Sequence, residues 1–152
     1  MSKAKRPQDY SFSSLKINIP MVKEAKYSKA NTPALVSKLC EEMAGFAQEA
    51  FVILTLNAKN NVIDKHLITL GLVDASLVHP REIFRRAILD NCNSVILVHN
   101  HPSGELSPSA EDIRMTRQMI DAGKIIDIHI LDHVIVGGSG FFSMRESGIV
   151  QF

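Results

Sequence analysis

A chain of 152 residues with 45% apolar side chains is long enough for one domain with its own core and short for two. Its 17 lysines and arginines nearly cancel 16 aspartates and glutamates, which excludes a strong field for phosphate backbones or anionic membranes; strong intrinsic nucleic-acid binding is not expected. No stretch approaches the roughly 18 apolar residues of a membrane-spanning helix and no apolar leader opens the chain, so a soluble, cytoplasmic protein is expected.

Residues 1–14 are polar, serine-rich and aperiodic, as in a flexible tail, and residues 15–152 are read as a single domain. Leu15, Ile17 and Ile19 form a short alternating run that Pro20 stops. Asn31-Thr32-Pro33 supplies a cap followed by proline at the first helical position. Leu35, Val36, Leu39, Met43 and Phe46 then recur at helical spacing, predicting a first helix to about Gln48. Residues 51–56 are rich in strand formers, Lys59-Asn60-Asn61 is turn chemistry, and Val62 resumes as an antiparallel partner. Pro80 opens a second helix with Ile83, Phe84, Ala87 and Ile88 on one face, ended by residues 91–94. A strand over 95–98 leads into a Pro/Gly loop at 100–107. A third helix starts near Ser109 and carries Ile113, Met115, Met119 and Ile120 toward Ala122-Gly123. Two apolar runs follow, 125–131 and 134–136, before a glycine-rich turn and Phe141-Phe142. Strands interleaved with helices on this scale predict an α/β fold, a mixed sheet flanked by helices. Cys40 and Cys92 stand in no C-x-x-C pair and read as small buried apolar residues.

His99-Asn100-His101 follows the apolar strand directly, and side chains two apart in an extended chain point to one side, so the two imidazoles can converge on one ion. Beyond the Pro/Gly loop, Asp112 lies one turn into the third helix and can face the strand end. Two imidazoles and a carboxylate make a ligand set typical of catalytic zinc, with the fourth position left for water. Plainer readings stand beside this one. His-Asn-His-Pro can be a polar turn, and Ser109-x-x-Asp112 matches a capping box, a role that can coexist with ligation. Among Glu41, Glu42, Glu49, Glu82, Glu105 and Glu111, Glu49 differs by position, between the end of the first helix and the start of a core strand. A carboxylate near zinc-activated water can accept its proton and pass it to a leaving amine.

His99-x-His101, seven residues, Ser109, two residues and Asp112, with Glu49 fifty residues upstream of His99, together resemble the JAMM motif of JAB/MPN metalloproteins. The closer resemblance is to the RadC-like branch, through His79-Pro-Arg-Glu-Ile-Phe, His99-Asn-His-Pro-Ser-Gly, Pro108-Ser109 and Asp132-His-Val-Ile-Val-Gly, and it covers about residues 30–150. It implies a cytidine-deaminase-like three-layer α/β sandwich, zinc on His99, His101 and Asp112, Glu49 as acid/base and Ser109 as an oxyanion-stabilising neighbour. It also implies a protease-like hydrolase with a peptide or protein substrate, since relatives of established activity are isopeptidases acting on ubiquitin-like tags. RadC-like proteins carry a DNA-repair label as well, and full-length members resemble a helix-hairpin-helix segment joined to the metal domain, for which this chain has no room. The competing expectation is accordingly a non-hydrolytic zinc-binding scaffold associated with DNA repair or recombination machinery.

Other polar residues have plain roles available. Asp132-His133 could orient a ligand, but a tight connection between strands, satisfied as a polar turn, is the favoured reading. His66, His79 and His129 read as surface or turn histidines, and Arg81, Arg85 and Arg86 as a solvated helix face. Ser103 lies in no G-x-S-x-G elbow, and the H-x-E and P-C-x-x-C signatures of zinc deaminases are absent. Apolar runs near Val134 and Phe141 leave room for a homo-oligomer through an exposed pairing surface.

Overall fold

The computed structural model describes Ala25 and residues 28–71 and 78–152. The tail and the run at Leu15, Ile17 and Ile19 lie outside these residues.

Thr32 caps the first helix, α1 (Pro33–Leu39), by accepting the Leu35 N–H, with Pro33 in the first turn where its missing N–H costs nothing. The helix is shorter than its periodicity suggests. Cys40 leaves helical backbone space at φ −121°, and a 3-10 segment (Glu41–Gly45) replaces the remaining turns. Val36, Cys40 and Met43 are buried, whereas Leu35 and Phe46 are each 38% exposed. Across the fold, the Asn100 side chain accepts the Ala50 N–H at 2.6 Å and donates to the Gln48 carbonyl at 3.1 Å, which pins the chain on either side of Glu49.

Among the described residues, five strands follow the order β2-β1-β3-β4-β5. The hairpin of β1 (Ala50–Leu56) and β2 (Val62–Leu70) is antiparallel, as the turn chemistry predicts. Helix α2 (Pro80–Leu89) leads to β3 (Ser94–Asn100), which pairs antiparallel with β1 and parallel with β4 (His129–Gly137). The crossover from β3 to β4 is α3 (Ala110–Ile126), as a parallel pair requires. A short β5 (Gly140–Ser143) and the single turn α4 (Met144–Ser147) close the chain.

Two expectations at the C-terminal end are corrected. Ile125 and Ile126 belong to α3, and the end of the first run, from His129, continues through the second as one strand. Asp132-His133 is therefore no turn: both residues lie inside β4 and are buried. Register slips at this point, Val95 facing Ile130 and Ile96 facing Asp132, so Leu131 is the extra residue of a bulge. Polar residues are tolerated there because each has partners, Asp132 accepting the Ser143 hydroxyl and the Arg145 N–H. Val134 is fully buried in the same strand and offers no pairing surface, while Phe141 is 38% exposed.

Strand alternation divides the core in two. Phe51, Ile53, Val95, Leu97 and Ile135 pack with Ile83, Phe84, Met115 and Met119 under α2 and α3. Val52, Leu54, Ile96, Val98, Val134 and Val136 pack with Val36, Cys40 and Met43 beneath α1. The sheet thus has helices on both faces, an α/β arrangement with a mixed five-stranded sheet. No described helix is long and apolar enough to cross a membrane.

Candidate metal centre

Alternation along β3 that puts Val95 and Leu97 in the α2/α3 core carries His99 and His101 to the same face at the strand's end. Phe51 is paired with His99 in the β1/β3 ladder and stacks on its ring, centroids 6.1 Å apart and planes 9° apart. Glu49, two residues before Phe51, shares that face. Its backbone is held between the ends of β2 and β3, with the Glu49 carbonyl accepting the Gly71 N–H at 2.8 Å and the next N–H, of Ala50, held by Asn100.

Asp112 arrives from α3. The loop from His101 reverses at Gly104, whose φ of +82° is costly for any residue with a Cβ. Ser109 then caps the helix reciprocally, its hydroxyl accepting the Asp112 N–H at 3.1 Å while Asp112 Oδ2 accepts the Ser109 N–H at 2.8 Å. Capping and a site-facing carboxylate thus occur in one residue. Asp112 Oδ2 lies 3.3 Å from His101 Nε2 and 3.5 Å from His99 Nε2, and the two imidazole nitrogens are 2.8 Å apart. One potential ligand atom from each of Glu49, His99, His101 and Asp112 lies within 4.8 Å of all the others. His99 and Asp112 are buried, His101 and Glu49 half-buried, so the cluster opens to solvent on the side of the latter pair.

The donor set fits a cation. His101 Nδ1 is 2.7 Å from the Glu105 carbonyl, which can only accept, so Nδ1 carries the proton and a neutral ring turns a lone pair at Nε2 toward Asp112. A carboxylate oxygen and facing imidazole nitrogens this close repel one another unless positive charge lies among them. The titration behaviour has the same sense. The Asp112 contact raises the His101 pKa against its partial burial. Burial alone would raise the Asp112 carboxyl, but contacts from His101 and His99 outweigh it and hold the group well below the usual carboxylate range. Burial raises the Glu49 carboxyl, partly offset by both histidines.

Beyond these four, His99 Nδ1 lies 2.7 Å from His133 Nε2, and His133 Nδ1 lies 2.6 Å from the Thr116 hydroxyl. His133 is fully enclosed, and that burial keeps its pKa well below the ordinary histidine value. The reading of His133 as part of a polar turn is thereby corrected: it touches a cluster histidine. Asn100, Phe51 and Thr116 were missed from sequence. Signals existed, since Asn100 alternates between the two histidines and Thr116 follows Asp112 by one helical turn.

The remaining histidines separate. His79 and His129 are exposed, whereas His66 is half-buried, its Nε2 2.6 Å from Asp90 Oδ2, which also accepts the Thr55 hydroxyl at 2.7 Å. That contact fastens the C-terminus of α2 to the hairpin. Ser103 is exposed in the loop. Arg81, Arg85 and Arg86 are exposed on α2.

The family model for the RadC-like JAB domain matches residues 30–149. The chain is 47% identical over 120 residues to UPF0758 protein STH371 of Symbiobacterium thermophilum, covering 79% of this chain and 51% of that protein. It is likewise 47% identical over 122 residues to UPF0758 protein BH3032 of Halalkalibacterium halodurans, covering 80% and 53%. With UPF0758 protein Mbar_A2303 of Methanosarcina barkeri it shares 37% identity over 130 residues, covering 86% and 57%. The chain thus spans about half the length of the relatives it matches. A match across the sheet, α3 and the whole cluster places this chain in the RadC-like JAB domain family.

Proposed function

We propose that the domain is a zinc-dependent metallohydrolase of JAMM type, a peptidase or isopeptidase, with His99, His101 and Asp112 as ligands and Glu49 as the general base. One observation carries this reading: two imidazole nitrogens and a carboxylate oxygen converge within 2.8–3.5 Å, with a half-buried carboxylate beside them. Nitrogen and oxygen donors in this number suit a zinc ion with an open coordination position. When bound, the ion supplies Lewis-acid activation of water and of a substrate carbonyl.

The chain's own residues do the rest. Glu49 accepts a proton from the attacking water and returns it to the leaving amine, and burial, which raises its carboxyl above the ordinary value, makes it the stronger base for that step. Ser109 uses a hydroxyl lone pair on the Asp112 N–H, which leaves its hydrogen to donate to the developing oxyanion. Phe51 stacks on the His99 ring from the neighbouring strand and limits its rotation.

The test is cleavage of a peptide and isopeptide panel by wild type and Glu49→Gln, with zinc content measured on both. The expected result is full zinc in both proteins and a loss of turnover in the variant of about a hundredfold or more. Equal and chelator-insensitive cleavage by the two overturns the proposal. Stoichiometric zinc with no cleavage by wild type across the panel favours the scaffold alternative.

A further inference from the structure

Thr116, His133 and His99 form a buried line of contacts whose polarity is fixed from one end. The Thr116 hydroxyl lies 2.6 Å from the Asp112 main-chain carbonyl, one turn back in α3, and 2.6 Å from His133 Nδ1. A carbonyl oxygen only accepts, so the single hydroxyl proton goes to Asp112. The reverse assignment would leave two oxygen acceptors 2.6 Å apart with no hydrogen between them. Thr116 therefore accepts from His133, and the proton of His133 sits on Nδ1. Its Nε2 is bare and faces His99 Nδ1 at 2.7 Å, a contact that needs one proton, supplied by His99. Protonated at Nδ1, a neutral His99 turns the lone pair of Nε2 to Asp112 and His101.

We infer that Thr116 and His133 are positioning residues for the metal centre, a relay that dictates which nitrogen of His99 is left bare and holds the ring in place. This rests on the reading of His99 as a ligand. His101 receives the same instruction more simply, from the Glu105 carbonyl. The division follows from burial: His101 sits beside a loop whose carbonyl is in reach, whereas His99 is enclosed by strands whose carbonyls are committed to the ladder. A side chain on the neighbouring strand must do the work, and the bulge at Leu131 sets the phase of β4 that puts His133 on the α3 face and Asp132 on the other. The connection also ties two ligands together, because the relay starts on the main chain of Asp112 and ends on His99.

The experiment uses the full chain labelled with 15N-histidine, read by long-range 1H–15N correlation before and after zinc is added, together with zinc affinity by chelator competition. In wild type, His133 is expected to carry its proton on Nδ1, with Nε2 bare, in both states. Thr116→Val keeps the volume and removes the acceptor; it is expected to disturb that signature and weaken zinc binding about tenfold to a hundredfold. Thr116→Ser restores both, which a purely space-filling role would not require. A wild-type His133 protonated at Nε2, or zinc bound equally tightly by Thr116→Val, overturns the relay. The wild-type spectrum decides without any variant. The expected tautomer and affinities, in a protein that cleaves no peptide, support the relay while removing the hydrolase reading. A wild type that binds no zinc removes both.

Discussion

Asp132 and His133 are neighbours in the chain with unrelated tasks, because successive side chains of β4 point to opposite faces of the sheet. His133 meets His99 and Thr116, while Asp132 accepts from its neighbour's main-chain N–H at 2.7 Å, from the Ser143 hydroxyl at 2.6 Å and from the Arg145 N–H at 3.1 Å. Asp132 thereby moors β5 and the C-terminal turn to β4. Asp132→Ala leaves several buried donors without an acceptor and is expected to cost about 2 to 3 kcal/mol. The measurement is denaturant unfolding, with a lower midpoint and an unchanged slope. An unchanged midpoint would show that the three donors find water instead.

At the scale of elements, α3 links the two halves of the candidate site to the core. Its first turn carries Asp112, its second Thr116, and its buried stripe of Met115, Met119 and Ile120 packs on the sheet. Gly123 interrupts an otherwise good helix for a packing reason: a Cβ there would lie 2.3 Å from the Ile128 carbonyl and 3.3 Å from Phe84. The chain folds back this tightly because Asp127 ends the helix at φ +58° and returns the Ile128 N–H to the Gly123 carbonyl. Gly123→Ala should therefore destabilise by about 1 to 3 kcal/mol despite the better helix propensity of alanine. Thermal unfolding checks it, and a raised melting temperature would mean that the turn at Asp127 yields freely. Zinc affinity should hold, since Gly123 lies about 16 Å along the helix from Asp112.

For the molecule as a whole, chemistry and exposed apolar surface lie apart. An open groove of about 680 Å³ runs between α2 and α3, lined by Phe84, Ile88, Leu89 and Ile125 among others and by none of the four cluster residues. The two cysteines report on global packing. Burial pushes the Cys40 thiol up to about 12 and the Cys92 thiol to about 11. Only the thiolate reacts, so both should resist alkylation in the native protein at pH 8 and react promptly once it unfolds. The linkage has a definite sign. From the unfolded thiol value of about 8.5 up to the folded values, the native state keeps protons that the unfolded state has released, so stability falls as pH rises through that window. Cys40→Ser should flatten part of this alkaline decline, and fast native alkylation of Cys40 would contradict the buried placement.

What local sequence could decide was decided by nearest-neighbour rules. Strand alternation puts His99 and His101 on one face, the capping pattern puts Asp112 in the first turn of α3, and Pro33 and Pro80 mark helix starts, because each depends only on residues a few positions away. The hairpin and the α/β class follow from the same local periodicity. The tertiary structure alone settled where α1 stops, with Cys40 leaving helical backbone space and the 3-10 segment after it burying Met43 against the sheet. It alone put Asp132-His133 inside a strand, since a polar pair is stable there only when Ser143, Arg145, Thr116 and His99 converge on it. Position in the chain already set Glu49 apart from the other glutamates, but its place in the cluster is fixed by the β1/β3 register, a property of two distant segments that neither encodes by itself.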